Sequence, residues 1–178
     1  MNCPKCKSHS LIPTRLEEGL PAMGCKQCGG KLLSLLYYRD WAQRSTAQFS
    51  DEPVSLEKLE KNDTKTAMAC SKCSRLMSKY RIQADSSNRL DICGNCDEAW
   101  IDQEEWAFLK SNELAKDLSK IFTDQWQGKV RTEELANIAF DRLADQIGKE
   151  DALKAQTFLD WLSGRQDKAT IIQYLGRA

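Results

Sequence analysis

Four C-x-x-C pairs and a change in apolar spacing along the chain predict a small metal-bound α+β protein, in which two tandem four-cysteine zinc ribbons precede an all-α helical bundle. All eight cysteines fall into the pairs Cys3/Cys6, Cys25/Cys28, Cys70/Cys73 and Cys93/Cys96, and none is left over. The intervals nearly match, with 18 residues between the first two pairs, 19 between the last two, and 41 between the two sets. Beyond Trp106 the apolar residues recur at spacings of three and four, the period of a helix, where earlier segments alternate as strands do.

Two cysteines three positions apart reach one ion if the turn between them is tight. Two such knuckles complete a tetrahedral thiolate shell with Zn–S distances of about 2.3 Å. The interval between knuckles suits a short hairpin. Grouping the pairs in sequence closes the shortest loops, so the expected cofactor is two Zn2+ ions, one on Cys3, Cys6, Cys25 and Cys28 and one on Cys70, Cys73, Cys93 and Cys96. A cross-braced arrangement is the costlier alternative, and iron in the same four-thiolate geometry is the chemical one. Disulfides are disfavoured because Met1-Asn2-Cys3-Pro4-Lys5 opens directly on a knuckle with no apolar signal segment, which leads to the expectation of a reducing, cytoplasmic setting. No βαβ pattern surrounds any pair, which weighs against a thioredoxin-like redox role. Gly29-Gly30 and Gly94 offer permissive backbone beside the cysteines.

The elements follow in order. In the first ribbon, residues 1–41, Leu11–Leu16 reads as a strand, Glu17–Pro21 as a turn, Lys31–Leu36 as a strand, and Tyr37–Trp41 as the start of a helix. Residues 42–69 read as a linker in which Val54–Lys61 can form a short helix with Leu56 and Leu59 on one side. In the second ribbon, residues 70–109, Leu76, Ser78, Tyr80 and Ile82 alternate along one strand. Asp85–Asn88 turns the chain, Leu90 and Ile92 return it to Cys93, and Ala99–Ile101 makes a third strand. Asp102, with Glu105 three residues on, reads as a capping box. Both halves therefore run knuckle, hairpin, knuckle, strand, helix, as a divergent internal repeat.

Residues 110–178 read as helices. Ser111-Asn112 interrupts the first. The next runs to about Trp126 with Gly128 ending it, Thr132 caps a third that ends at Gly148, Glu150–Ser163 forms a fourth, and Asp167 caps the last. Trp126, Phe140, Phe158, Trp161 and Tyr174 are the expected core of this bundle.

Each ribbon is too small for a hydrophobic core of its own, so Met1–Trp41 and Cys70–Leu109 are expected to need metal in order to fold. No apolar run approaches the roughly 18 residues of a membrane span. Net charge is zero over the chain but uneven: +4 in residues 1–39, −2 in 40–69, +1 in 70–101 and −3 in 102–178. Lys5, Lys7, Lys26 and Lys31 flank the first knuckles and offset thiolate charge, since zinc with four thiolates carries a net −2.

C-S-K-C at Cys70–Cys73 with C-G-N-C-D-E-A-W-I-D-Q-E-E-W at Cys93–Trp106 resembles the TFIIB-type zinc-finger family of bacterial and archaeal proteins. Trp100, Ile101, Asp102 and Glu105 match the tail of that family's motif, while Asp97-Glu98 stands where the family favours two glycines. The first ribbon is complementary, keeping C-P-K-C and C-K-Q-C-G-G but having Lys31-Leu32-Leu33 in place of the tail. The resemblance covers residues 1–41 and 70–109. It implies a zinc ribbon and, through the transcription factor that names the family, a ribbon that docks on a polymerase rather than reading DNA.

Three functions compete. A closed thiolate quartet has no open position for water or substrate, which favours a non-enzymatic zinc-binding adaptor docking on a macromolecular partner, preferentially a protein. Nucleic-acid binding is the alternative, with Lys5, Lys7, Lys26, Lys31, Arg39, Lys79 and Arg81 meeting phosphates and Tyr37, Tyr38 or Tyr80 stacking on bases. Catalysis is disfavoured. His9 is the only histidine, it reads as a solvated loop residue, and no convergent acid–base constellation or small-molecule site is evident.

Overall fold

The computed structural model describes residues 1–46, Leu59 and 64–177. It is a mixed α+β structure, and its described elements are β1 (Ile12–Glu17), β2 (Leu20–Gly24), β3 (Lys31–Ser34), α1 (Leu35–Arg44), β4 (Ser78–Arg81), β5 (Arg89–Cys93), β6 (Glu98–Ile101), α2 (Glu105–Ser111), α3 (Leu118–Ile121), α4 (Asp124–Ile147), α5 (Lys149–Ser163) and α6 (Lys168–Leu175). The linker helix expected over Val54–Lys61 lies outside the described residues except for Leu59, which is helical and buried.

The two cysteine-bearing halves are not separate beads. All six strands form one antiparallel sheet in the order β1-β2-β3-β6-β5-β4, closed at its centre by β3 against β6. The register pairs Lys31 with Ile101, Leu32 with Trp100, Leu33 with Ala99 and Ser34 with Glu98. A shift of 68 residues carries Cys25 to Cys93, Cys28 to Cys96 and Leu32 to Trp100. Repeat-equivalent residues Leu32 and Trp100 therefore pair with each other, and the flanking pairs exchange partners around them. This is the pattern of a two-fold interface, written within a single chain.

Alternation along the strands sorts side chains to two faces. On one face Leu20, Ala22, Leu33, Leu90, Ala99 and Ile101 pack with Tyr38 and Trp41 of α1, Trp106, Phe108 and Leu109 of α2, and Leu118 and Ile121 of α3. On the other, Leu32 and Trp100 join Met68, Met77 and the cysteines. The first face is a single core drawn from both halves, with Trp41 and Trp106 in ring contact at 5.7 Å. Met1–Arg131 is one compact unit and Thr132–Ala178 a second, so the boundaries read from sequence at residues 41, 69 and 109 all fall within the first.

Four local expectations are corrected. The strand expected over Lys31–Leu36 stops at Ser34, and α1 begins at Leu35. The capping box is only half formed. The Asp102 N–H donates to Glu105 Oε2 at 2.6 Å, but the Asp102 carboxylate is engaged elsewhere, and Glu104, in a left-handed conformation, precedes the helix. Gly128 and Thr132 do not divide two helices: α4 runs through both, opened by Thr123, whose hydroxyl accepts from Trp126 N–H at 3.3 Å. One glycine costs a helix only about 1 kcal/mol, less than 24 residues of continuous backbone bonding recover.

The fourth correction concerns the aromatic residues assigned to a helical core. Trp126 packs instead against the sheet-bearing unit, donating its indole N–H to Ile82 O at 2.9 Å. Phe140 is half-buried, whereas Phe158, Trp161 and Tyr174 are exposed. Among the described residues of this second unit the buried side chains are Ala152 and Leu162, and the five aromatic residues form no shared core there. Among the described residues no helix is long and apolar enough to cross a membrane.

Candidate metal centres

The four knuckles share one backbone design. In each, the N–H of the residue after the second cysteine donates to the carbonyl of the first: Lys7 to Cys3 at 2.8 Å, and Gly29 to Cys25, Ser74 to Cys70 and Asp97 to Cys93 at 2.9 Å. In each, that residue has a positive φ: 61° at Lys7, 72° at Gly29, 59° at Ser74 and 55° at Asp97. The turn demands a left-handed residue at this step, and only one of the four positions supplies glycine for it. Gly94, read from sequence as serving this purpose, has ordinary backbone and open space around it. The left-handed residue of that knuckle is Asp97, held in addition by a bidentate ion pair with Arg39 of α1.

These turns bring the sulfurs into two quartets, Cys3–Cys6–Cys25–Cys28 and Cys70–Cys73–Cys93–Cys96, with the ligand atoms of each within 4.8 Å of one another. Sγ–Sγ separations are 3.7 Å for Cys3–Cys28, 4.0 Å for Cys6–Cys25 and 3.5 Å for Cys73–Cys93. Four sulfurs at about 2.3 Å from a tetrahedral ion lie about 3.8 Å apart, which these distances match. They are far too long for disulfides, and all eight cysteines are free. Both quartets follow the sequential grouping, and either could hold a metal ion.

Backbone N–H groups are aimed at the sulfurs, as from Cys6 to Cys3 Sγ at 3.3 Å and from Lys72 to Cys70 Sγ at 3.4 Å. At Cys25 burial opposes ionisation, but N–H groups of Cys28 and Gln27 outweigh it and bring the thiol down to about 7. At Cys73 the Arg75 N–H does the same, also to about 7. Burial pushes Cys3 and Cys28 up and raises Cys70 to about 12, and the Cys73 side chain raises Cys96. Each quartet thus pairs one thiol lowered toward neutrality, Cys25 or Cys73, with thiols that are held up, Cys3 and Cys28 in the first and Cys70 and Cys96 in the second.

Between the quartets lies a set of contacts that the sequence did not reveal. Trp100 lies over Gly30, where an added Cβ would sit 2.2 Å from Cζ2 of the indole. The Trp100 N–H donates to Asp102 Oδ1 at 2.8 Å, and Lys5, from inside the first knuckle, donates to the same oxygen at 3.1 Å. The other oxygen accepts from the Thr64 N–H at 3.0 Å and the Thr64 hydroxyl at 2.6 Å. Lys72, the repeat counterpart of Lys5, donates to buried Glu98. The shared lysine in C-P-K-C and C-S-K-C was the available signal. Ser71 adds a bond from its hydroxyl to Asn2 O at 2.7 Å, joining the first knuckles of the two halves.

Several residues considered for nucleic acid are occupied within the protein. Lys5 and Arg39 pair as above, Lys79 pairs with Asp91 at 2.8 Å, and Arg81 donates to Ala84 O at 3.0 Å. Tyr38 is buried, its hydroxyl donating to Ala115 O and accepting from Leu118 N–H, both at 2.9 Å. Tyr80 packs edge-on against Phe122 at 5.4 Å. Tyr37 is exposed, and Lys7, Lys26 and Lys31 make no ion pair among the described residues. His9 lies on an exposed loop beside the Ser8 hydroxyl. Compared with protein-family models, with curated proteins and with solved structures, the chain has no significant match.

Proposed function

We propose that this protein is a non-enzymatic zinc adaptor: two zinc ribbons of the TFIIB-like kind, fused through β3 and β6, that hold two Zn2+ ions and present a rigid surface to a macromolecular partner, a protein. The observation that carries this reading is the closure of both quartets. Four cysteines fill each tetrahedron, every knuckle has the same turn, and neither site leaves a ligand position for water or substrate. All-thiolate tetrahedra suit zinc or iron, and redox-inert zinc fits a structural role.

The engagement of Lys5, Lys79, Arg81, Tyr38 and Tyr80 inside the fold, with Arg39 in a surface ion pair, favours a protein partner over nucleic acid, because it occupies basic and aromatic groups a polynucleotide would use. The reduced quartets fit a cytoplasmic setting. Metal analysis of the purified chain should return two zinc ions per chain, and iron or a lower count overturns the metal assignment. Single- and double-stranded nucleic acid should show no mobility shift at low salt, where phosphate contacts are strongest. A shift that fades steeply as salt rises overturns the protein-partner reading and leaves the metal assignment standing.

A further inference from the structure

A cavity of about 260 Å³ lies between the strands of the first half and α2 of the second, and no cysteine lines it. Leu16, Ile101 and Trp106 give it an apolar wall, and Glu17, Lys31 and Glu104 give it charge. Glu17 is fixed through one oxygen. Its Oε1 accepts from the Trp106 indole N–H and from Lys110, both at 2.8 Å, and its Oε2 has no partner among the described residues. Lys31 and Glu104 are half-buried, and among the described residues neither makes an ion pair, with the other or with a third group. Asp102 shares the wall, but Trp100, Lys5 and Thr64 take both its oxygens.

The backbone at Glu104 sets it apart. Five non-glycine residues among those described have positive φ. Lys7, Ser74 and Asp97 follow knuckle cysteines, and Glu113 follows the end of α2, where a left-handed residue is common. Glu104 has φ 72° just before α2, a position whose backbone is ordinarily extended. Neither a knuckle nor a helix end accounts for that conformation, and strained backbone of this kind gathers at ligand sites.

We propose that the cavity binds a free α-amino acid with an apolar side chain. Glu104 and Glu17 Oε2 take its ammonium group, Lys31 takes its carboxylate, and Leu16, Ile101 and Trp106 receive its side chain. The volume falls below the roughly 300–1,000 Å³ of pockets for drug-sized ligands and suits a smaller molecule. Charge selects the class. Two open carboxylate groups repel a phosphate or other polyanion, and Lys31 repels a simple cation, whereas a zwitterion satisfies both signs at once. A peptide terminus brings only one of the two charges. The ligand adds to the adaptor reading and does not depend on it.

Titration of the full zinc-loaded chain with L-leucine to about 10 mM, which saturates a millimolar site, should shift the Trp106 indole resonance along a binding curve in heteronuclear NMR spectra. Absence of a saturable shift overturns the proposal. Leucine amide and N-acetylleucine, which each lack one charge, should bind at least about tenfold more weakly than leucine. Equal binding of either one shows that a single charge is read and overturns the zwitterion assignment. Glu104→Gln and Lys31→Met should each weaken leucine binding at least about tenfold while distant amide resonances stay in place. Leucine binding indifferent to either substitution lies elsewhere and overturns the site.

Discussion

The two cysteine-bearing halves share a plan and divide its labour. Each is a three-stranded meander with two knuckles and a following helix, yet the first carries glycine where the second carries acid, and the second carries tryptophan where the first carries leucine. Their placement in one sheet explains the divergence. Gly30 makes room for Trp100, Asp102 anchors that indole and receives Lys5 from the opposite half, and Glu98 receives Lys72. A duplicated module that pairs with itself needs a bulky group on one side of the dyad and a gap on the other. Two identical copies would supply two bulky groups or two gaps. The halves have become the two sides of one interface, and the two cysteine quartets lie against it.

The largest test of this interdependence is metal removal. Structural zinc contributes on the order of 10–16 kcal/mol to small thiolate modules. Chelation should therefore abolish the near-ultraviolet circular dichroism of Trp100 in its packed setting and the cooperative unfolding of Met1–Arg131. Cys93→Ser, made in the second quartet alone, should also perturb the Cys25 and Leu32 amide resonances of the first half. Undisturbed resonances there would show two independent modules. Acid should act in the same direction. Cys25 and Cys73 are lowered from 9.0 to about 7, so their contribution is full above pH 9 and is lost as pH falls through about 7. Metal affinity should decline across that window, as a competition titration at stepped pH would show.

Next comes the dyad itself, where the two carboxylates that receive the knuckle lysines should behave unequally. Asp102 is buried and accepts from Trp100, Lys5 and Thr64, so Asp102→Asn should cost about 2–4 kcal/mol by leaving buried donors without a charged acceptor. Glu98 meets a lysine whose side chain is 44% exposed, and solvent screening limits Glu98→Gln to about 1 kcal/mol or less. Urea unfolding of zinc-loaded variants measures both, and equal losses would mean that the two sites are not specialised. Gly30→Ala should cost about 1–3 kcal/mol by overpacking against Trp100, and replacing Trp100 with Leu in the same chain should recover part of that loss.

Much of this was legible in the chain. The two cysteine quartets, their sequential grouping and the strand–helix order of both halves follow from cysteine spacing and alternation, because knuckles and hairpins are set by neighbours in sequence. The pairing of β3 with β6 was not legible. Both strands are short and apolar on both faces, as Leu32-Leu33 and Trp100-Ile101 show, so no alternation marks which edge they share. Asp102 looked like a helix cap because Glu105 follows it at the right interval, but a buried indole N–H and a knuckle lysine compete for the same carboxylate and take it. The aromatic residues of the last helices read as core from their spacing. Periodicity reports that a face is apolar and is silent about whether its cover lies in the same chain, and Phe158, Trp161 and Tyr174 are exposed.

The smallest effect concerns the residue after each knuckle. Gly29 holds its left-handed backbone without a Cβ, while Ser74 reaches φ 59° with one. Left-handed backbone costs a residue with a side chain about 1–2 kcal/mol, and glycine returns part of that gain through its greater freedom when unfolded. Ser74 is exposed and its side chain has no hydrogen-bond partner among the described residues, so Ser74→Gly isolates the backbone term. It should stabilise the zinc-loaded protein by about 0.5 kcal/mol, whereas Gly29→Ala should destabilise it by about 1 kcal/mol or more, since the new Cβ also meets the Gln103 side chain at 3.1 Å. Opposite signs at these two positions are the expected result in thermal unfolding. If Ser74→Gly destabilises instead, the knuckle of the second half is held by something other than its backbone turn, and the equivalence of the four turns fails there first.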